Sequence, residues 1–287
     1  NAINVQNSPL TSFRVFKSNF INCGTTDYII SIKTPLKSNK IENCTFDFSN
    51  DKKCKGLYSS TDRIELFGNN FNNFQENAIQ FQCQYAEKDV LKIIENHFYN
   101  FQNCYCLFIE NPFDYSPCIK GNSFDKITGN IHFLYFKLKE NVNSVVFDNN
   151  TFSNFNMNTQ NGGIGFDICN ENTGIPFYYT FNDCVFIKNT NSNLGGNIYF
   201  DAHINNGNAY LKVTNCYFIN NDKEDNGCCI YANIQNEIII EDTHFNENSG
   251  LLGESIYIDP DFINNENYQK RSPKVYIQNC TFDTNDA

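Results

Sequence analysis

The sequence contains no tryptophan, a single methionine and no cluster of basic residues. The formal charge is −11, and the acidic residues are scattered along the chain. Binding to a phosphate backbone requires grouped Lys and Arg side chains, so nucleic acid is not an expected partner. No stretch approaches the ~20 apolar residues of a membrane-spanning helix, so we expect no membrane span in this chain.

Motifs that mark common enzyme classes are also missing. The sequence carries no glycine loop of the phosphate-binding type, no Ser/His/Asp arrangement and no calcium-binding nonapeptide repeat. The four histidines are too far apart to form one centre. His97 and His244 both precede a repeat phenylalanine, which places them on the same outer side but five repeats apart. We therefore predict no catalytic residue, no cofactor and no metal site.

What the chain does contain is a repeat. The stretch Leu211–Asn221 holds an apolar alternation, a two-residue break, a small residue, an aromatic anchor and a final asparagine. The order from the alternation to the anchor recurs ten times at steps of 25 to 37 residues. The anchors are Phe20, Phe46, Phe71, Phe98, Phe124, Phe152, Phe186, Phe218, Phe245 and Phe282. A period of this size is typical of a solenoid or an array of repeats.

The residue types within the repeat predict its local structure. Five residues before each anchor the chain is apolar, and two residues before it the chain is small or Asn. Alternation in the first part indicates a strand with one buried face. The inward parity then slips by one position, so the chain must turn between the two parts. Pairs such as Thr214-Asn215 occupy this corner, and Asn and Asp tolerate the left-handed conformation that a tight turn needs.

A glycine signal follows the later anchors, as in Gly195–Tyr199, and predicts a turn that leads into a further short strand. Units of two or three short strands without a helix fit an all-β, right-handed parallel β-helix of about ten coils. We expect residues 1–287 to form this single domain, as a segment of a longer chain. A leucine-rich repeat is disfavoured by the Phe, Ile and Val pattern, and a propeller blade requires about 40 residues.

Cysteines and sequons leave the cellular compartment open. The 13 cysteines are an odd number, and Cys44, Cys184, Cys216 and Cys280 share the small inward position, which favours buried thiols over a disulfide framework. Three Asn-x-Thr sequons lie at the corner before an anchor, and Asn43, Asn149 and Asn279 are therefore possible glycosylation sites. The repeat itself also generates this tripeptide, so both interpretations stand.

Two motifs of the C-terminal half resemble a known class of surface proteins. Phe-x-x-Asn occurs at Phe186–Asn189, Phe218–Asn221, Phe245–Asn248 and Phe282–Asn285, and Gly-Gly-x-Ile-Tyr occurs at Gly195–Tyr199. Together they resemble the FxxN and GGA repeats of polymorphic outer membrane protein-like families, and the right-handed β-helix surface proteins of parasitic protists of the trichomonad type. The resemblance implies display at the cell surface or outside the cell and an adhesin-like role.

Three functions are consistent with these observations. The first is a non-enzymatic surface or structural β-helix that binds other proteins or glycans along one face. The second is a β-helical carbohydrate-active enzyme similar to pectate lyase. The third is a component of a filament or scaffold, with assembly partners and an intracellular location. Outward residues that do not follow the repeat, such as Tyr217, and the loops 156–162 and 259–273 are where a binding function is expected.

Overall fold

A computed structural model describes residues 3–6, 12–23, 27–33, 38–49, 54–61, 63–82, 90–111, 117–139, 144–158, 163–169, 177–191, 196–201, 209–223, 228–233, 237–250, 253, 255–259 and 274–285. Within these ranges the secondary structure consists of short strands and turns without a helix, and so without a helix that could cross a bilayer. Every strand pairing between coils is parallel, and the fold is a parallel β-helix as predicted.

Each coil contributes one strand to each of three faces. Sheet A opens the coil, and in the last three coils a separate sheet D takes the place of sheet A. The strands of sheet A are Ile3–Val5, Tyr28–Ile32, Lys55–Ser59, Ile79–Gln82, Leu107–Asn111, Leu134–Lys139 and Ile164–Cys169. The strands of sheet D are Ile198–Asp201, Ile230–Asn233 and Ile256–Asp259.

Sheets B and C run through all ten coils in sequence order. The strands of sheet B are Ser12–Phe16, Ser38–Glu42, Arg63–Phe67, Val90–Ile94, Cys118–Lys120, Ser144–Asp148, Phe177–Asn182, Ala209–Thr214, Glu237–Glu241 and Lys274–Gln278. The strands of sheet C are Asn19–Ile21, Thr45–Asp47, Asn70–Asn72, His97–Gln102, Ser123–Gly129, Thr151–Ser153, Val185–Ile187, Tyr217–Ile219, His244–Asn246 and Thr281–Asp283, with Asn156–Met157, Thr190–Asn191 and Asp222–Lys223 beside them. The ten coils match the ten sequence repeats. The right-handed winding stays a prediction, based on the strong preference of parallel crossovers for that hand.

The corner between sheets B and C is where the sequence predicts it. In all ten coils the residue three positions before the anchor has a left-handed backbone, with φ between 47° and 64°. These residues are Lys17, Asn43, Gly68, Glu95, Gly121, Asn149, Asp183, Asn215, Asp242 and Asn279. Eight of them are Asn, Asp or Gly, the residue types that adopt this conformation at low cost. The turn reverses the inward parity, so that the small residue and the anchor both face the core.

A second corner follows the anchor and was not predicted. Nine coils have another left-handed residue two positions after the phenylalanine, for example Asn220 with φ 56° and Lys188 with φ 54°. This turn brings the third residue after the anchor back into the core. In the later coils that residue is the asparagine of the Phe-x-x-Asn motif, and in earlier coils it is Phe74, Phe101 or Phe155, all of which are buried.

The ten anchor phenylalanines form one continuous stack. Each pairs in register with the anchor of the next coil, and neighbouring ring centroids are separated by 4.6 to 5.2 Å with interplanar angles of 14° or less. This separation matches the distance between adjacent strands, about 4.8 Å. The anchors from Phe46 to Phe245 are at most 1% exposed, while Phe282 in the last coil is 52% exposed.

Two buried asparagine ladders line the core beside this stack. The first occupies the small inward position in coils three to six, where each asparagine side-chain oxygen accepts the backbone N–H of the previous coil, as Asn122 Oδ1 does from Asn96 N at 2.9 Å. The second occupies the Phe-x-x-Asn position in coils seven to ten, where Asn248 Oδ1 accepts from Asn221 N at 3.1 Å. The first ladder ends at Asn150 and the second begins at Asn189, so one ladder succeeds the other along the axis.

Candidate functional site

The outer surfaces of the three sheets differ in chemistry, and this difference locates the candidate site. Sheet B presents oppositely charged side chains that pair between neighbouring coils, as Lys40 and Lys92 do with Glu65 at 2.7 and 3.6 Å. Hydrogen bonding to Lys40 lowers the pKa of Glu65. Sheet C presents mainly short polar side chains, among them Asp125, which accepts hydrogen bonds from Ser153 and Asn154. Both surfaces are mainly polar, although Phe16, Phe67, Tyr178 and Tyr276 on sheet B and Tyr217 on sheet C are exposed rings.

Sheet A presents aromatic side chains instead. We call its outer surface in coils two to six the aromatic face; it comprises Tyr28, Tyr58, Gln80, Gln82, Tyr105, Phe108, Glu110, His132, Tyr135 and Lys137. One register row contains Tyr58, Gln80, Phe108 and Tyr135, and the row two residues further along the strands contains Gln82, Glu110 and Lys137. Because residues two apart on a strand share a face, an aromatic row and a polar row lie side by side.

The polar row is a connected chain of hydrogen bonds. Tyr58 donates its hydroxyl to Gln82 at 3.1 Å, and Gln82 donates its amide N–H to Glu110 at 2.8 Å. Lys137 lies 3.2 Å from the other Glu110 oxygen. The carboxylate is therefore held between an amide and an ammonium group, and its charge is compensated on the face itself.

The contacts made by the rings of the aromatic face change along the axis. In its first part the rings are covered: Lys55 lies 5.5 Å from the Tyr28 ring centroid and Lys33 lies 5.7 Å from that of Tyr58. The Tyr28 hydroxyl donates to Gln80, and desolvation by burial is the main reason that its pKa rises to about 12. This part of the row is structural, since its polar and ring contacts are made within the protein.

The second part of the row is a cluster of tilted rings. Tyr105, Phe108 and Tyr135 have centroids 5.3 to 5.8 Å apart and interplanar angles of 66°, 42° and 30°. In contrast, Tyr199, Tyr231 and Tyr257 on sheet D stack at angles of 6° and 17°, so each ring face covers the next. Rings that are tilted cannot cover one another in this way. The three tilted rings are partly exposed and lie beside Glu110 and Lys137.

The predicted glycosylation sites occupy equivalent places in the fold. Asn43, Asn149 and Asn279 are exposed at the left-handed corner between sheets B and C, in coils two, six and ten. They are therefore aligned along one edge at equal intervals of four coils, about 19 Å each at ~4.8 Å per coil. Their use as glycan acceptors stays a prediction.

Sheet C carries His97, His244 and the predicted outer residue Tyr217. His97 and His244 share one register row five coils apart, as expected from the repeat. Tyr217 is 40% exposed, and His244 stacks on it at 4.9 Å and hydrogen-bonds Thr281 at 2.6 Å. In the described part of the chain, no group of three or more His, Cys, Asp or Glu residues is placed to hold a metal ion. Loop residues 159–162 and 260–273 lie outside the described residues.

The described cysteines are free thiols, and most of them are buried. Cys44, Cys184 and Cys216 occupy the small inward position. The sequence suggests that Cys228 and Cys229 face opposite ways on a strand, but both are buried because they precede the strand Ile230–Asn233 and lie in its turn.

Burial should make these thiols unreactive in the folded protein. Desolvation raises the pKa of Cys106 and Cys216 well above that of a free thiol, whereas Cys118 is exposed. Since the thiolate is the reactive species, we expect iodoacetamide at pH 8 to alkylate Cys118 at least about a hundredfold faster than Cys106 or Cys216. Peptide mapping by mass spectrometry measures this ratio, and alkylation in guanidinium chloride provides the unfolded reference. Equal rates for Cys118 and Cys106 in the folded protein would contradict the assigned burial.

The aromatic face was not predicted from the sequence. Its rings follow no fixed offset from the anchor, and Tyr105, Phe108 and Tyr135 meet only because strands 27 residues apart pair in register. The one available signal was that aromatic residues such as Tyr58, Phe108 and Tyr135 alternate with inward apolar residues in the strands between anchors.

The chain was compared with protein-family models, with curated proteins and with solved structures. No protein-family model, no curated protein and no solved structure matches it. The resemblance of the Phe-x-x-Asn and Gly-Gly-x-Ile-Tyr motifs to polymorphic outer membrane protein-like families therefore stays an expectation drawn from the motifs themselves.

Proposed function

We propose that this protein is a non-enzymatic, adhesin-like β-helix that is displayed at the cell surface or outside the cell and binds a ligand through the aromatic face. The observation that carries the proposal is the tilted cluster of Tyr105, Phe108 and Tyr135, which interrupts the regular pattern of the outer surface. Partly exposed rings next to hydrogen-bonding groups are a common composition of recognition surfaces.

Two further features support a binding role. The β-helix is long and continuous, with sheets B and C unbroken through ten coils, so its faces are flat and held rigidly by register. A rigid surface loses little conformational entropy when it binds. The exposed sequons Asn43, Asn149 and Asn279 all lie on the edge between sheets B and C, and a glycan there would leave the aromatic face on sheet A uncovered.

The carboxylate on the aromatic face favours binding over catalysis. Glu110 accepts from Gln82 and pairs with Lys137, so both of its oxygens have partners on the face itself. A general acid must instead present its carboxyl group to the substrate. This arrangement supports the non-enzymatic proposal over the pectate lyase-like alternative.

A solid-phase binding assay tests the proposal. The probes are a printed panel of glycans together with the matrix proteins laminin, fibronectin and collagen, incubated with fluorescently labelled wild-type protein. We expect binding to at least one component and a loss of about tenfold or more in the double variant Phe108→Ser, Tyr135→Ser, because a few buried aromatic contacts carry most of the free energy of binding.

A matched control places the same change on another face. Tyr178 and Tyr210 stack at 5.0 Å on the outer surface of sheet B, and the double variant Tyr178→Ser, Tyr210→Ser should retain binding. Circular dichroism and thermal unfolding establish that both variants are folded. Equal losses in both variants, no binding to any panel component, or a change in the mass of the bound ligand after incubation would overturn the proposal.

A further inference from the structure

We propose that the ligand of the aromatic face is a neutral, unbranched polysaccharide chain that lies along the β-helix axis across coils four to six. The inference rests on the proposed function and names the class of ligand. It is drawn from the tilt of the rings, the position of the polar row and the compensation of charge on this face.

The ring geometry suits a pyranose. One side of a β-linked pyranose carries only C–H groups, and these pack against an aromatic ring that presents part of its face. Phe108 makes an angle of 66° with Tyr105 and 30° with Tyr135, so the three rings form a ridged surface rather than a closed stack. The side-chain edges presented by a parallel stack such as Tyr199–Tyr231 would offer no comparable platform.

The polar row supplies hydrogen bonds at the sugar periphery. Glu110 follows Phe108 by two residues on one strand, and Lys137 follows Tyr135 by two residues on the next. Side chains at this spacing lie about 7 Å apart on the same face, so a pyranose over either ring has its hydroxyl groups at the polar row. Amide, carboxylate and ammonium groups together both accept and donate, as sugar hydroxyls do.

The repeat of the fold matches a polymer better than a single sugar. Equivalent positions on successive coils are about 4.8 Å apart, a length comparable to one pyranose unit of an extended chain. Gln80, Phe108 and Tyr135 lie in register on three successive coils, with Gln82, Glu110 and Lys137 beside them. A chain that follows the axis therefore meets the same pair of rows at each unit.

The charges on the face favour a neutral ligand. Glu110 and Lys137 compensate each other at 3.2 Å, and the protein as a whole carries a formal charge of −11. An anionic polysaccharide would approach a protein of net negative charge at a part of the face where Lys137 is already paired with Glu110, which disfavours association. A neutral chain experiences neither penalty.

Affinity electrophoresis of the intact chain tests the inference directly. The probes in the gel are a soluble β-1,4-linked glucan, a β-1,4-linked mannan and, as the anionic counterpart, polygalacturonate. We expect at least one neutral polysaccharide to retard the protein, and we expect the retardation to persist in 0.5 M NaCl because no net charge is neutralised. Retardation by polygalacturonate alone, or by none of the three, would overturn the inference.

Point variants tie the retardation to the rings. Phe108→Ala should weaken the retardation about tenfold. Phe108→Tyr keeps an aromatic ring and should retain the retardation, and Tyr178→Ala on sheet B should leave it unchanged. Glu110→Gln keeps a hydrogen-bonding group while it removes the negative charge, so it should change binding of the neutral chain by less than about threefold. Equal retardation of Phe108→Ala and Tyr178→Ala would contradict the assignment of the face.

The outcome for the ligand class is separable from the outcome for the proposed function. If the neutral polysaccharides fail but the double variant Phe108→Ser, Tyr135→Ser loses binding to a matrix protein on the panel, the aromatic face is a recognition surface for proteins and the polysaccharide inference is wrong. If the face variants and the sheet B variants behave alike on every probe, both proposals are wrong.

Discussion

Replacement of Phe218 by alanine should destabilise the protein by about 3–5 kcal/mol, the cost typical of removing a large buried aromatic side chain. Phe218 is fully buried, and its ring stacks on Phe186 at 4.6 Å and on Phe245 at 5.0 Å. The substitution therefore leaves a cavity between two rings that are both held in register by their own strands. Such a site cannot collapse without breaking the ladder.

The matched control is Phe282→Ala at the equivalent position of the last coil. Phe282 is 52% exposed and, among the described residues, stacks on Phe245 alone, at 4.9 Å, so its loss should cost about 1 kcal/mol. Chemical denaturation measures the difference in the free energy of unfolding between the two variants. A cost for Phe218→Ala no larger than that for Phe282→Ala would show that the stack does not stabilise the core.

The location of the effect is as informative as its size. In a solenoid each coil contacts mainly its neighbours, so a defect in one coil weakens the adjacent coils most. Hydrogen exchange should therefore accelerate in the strands Val185–Ile187, Tyr217–Ile219 and His244–Asn246 more than in Thr45–Asp47 at the far end of sheet C. Uniform acceleration along the chain would indicate that the ten coils unfold as one cooperative unit.

Replacement of Asn122 by leucine should destabilise the protein by about 2–4 kcal/mol, although leucine is apolar and the site is fully buried. Asn122 accepts from Asn96 N at 2.9 Å and donates to Ile93 O at 2.7 Å and to Asn150 Oδ1 at 3.0 Å. Leucine makes none of these bonds, and it leaves the buried Asn96 N–H without its acceptor. Calorimetric or denaturant-induced unfolding measures the loss.

Cysteine at the same position is the conservative control. Natural cysteines fill this position in other coils, where Cys216 Sγ donates to Phe181 O at 3.5 Å and Cys184 Sγ donates to Phe147 O at 3.5 Å. Asn122→Cys should restore a donor to the carbonyl of the previous coil but not the acceptor for Asn96 N, so its cost should lie below that of leucine. If leucine is as stable as cysteine, the asparagine ladder contributes no hydrogen-bond energy.

The two asparagine ladders explain why the motif content changes along the chain. In coils three to six the small inward position provides the amide, and Phe74, Phe101 and Phe155 fill the space after the second corner. From coil seven onward Asn189 and its successors take over the ladder after the second corner, and cysteine or threonine fills the small inward position. Each coil from the third to the tenth thus has one asparagine ladder and fills the remaining core with other side chains.

The residue pattern alone predicted the period, the number of coils, the parallel β-helix and the first corner. These are local properties, because the anchor phenylalanine, the apolar alternation and the Asn, Asp or Gly at the turn lie within a few residues of one another. Because the repeat occurs ten times, these features can be recognised even where single copies deviate, as Lys17 and Glu95 do at the corner.

Three features are seen only in the folded chain: the second corner, the buried ladder of Asn189–Asn285 and the aromatic face. Asn occupies five of the nine left-handed positions at that turn, but Lys188 and Glu247 adopt the same conformation although their side chains do not favour it, so the local signal is incomplete. The tilted rings of Tyr105, Phe108 and Tyr135 are brought together by the register between coils. Register is a property of paired strands that are distant in sequence, and the packing of the core fixes it.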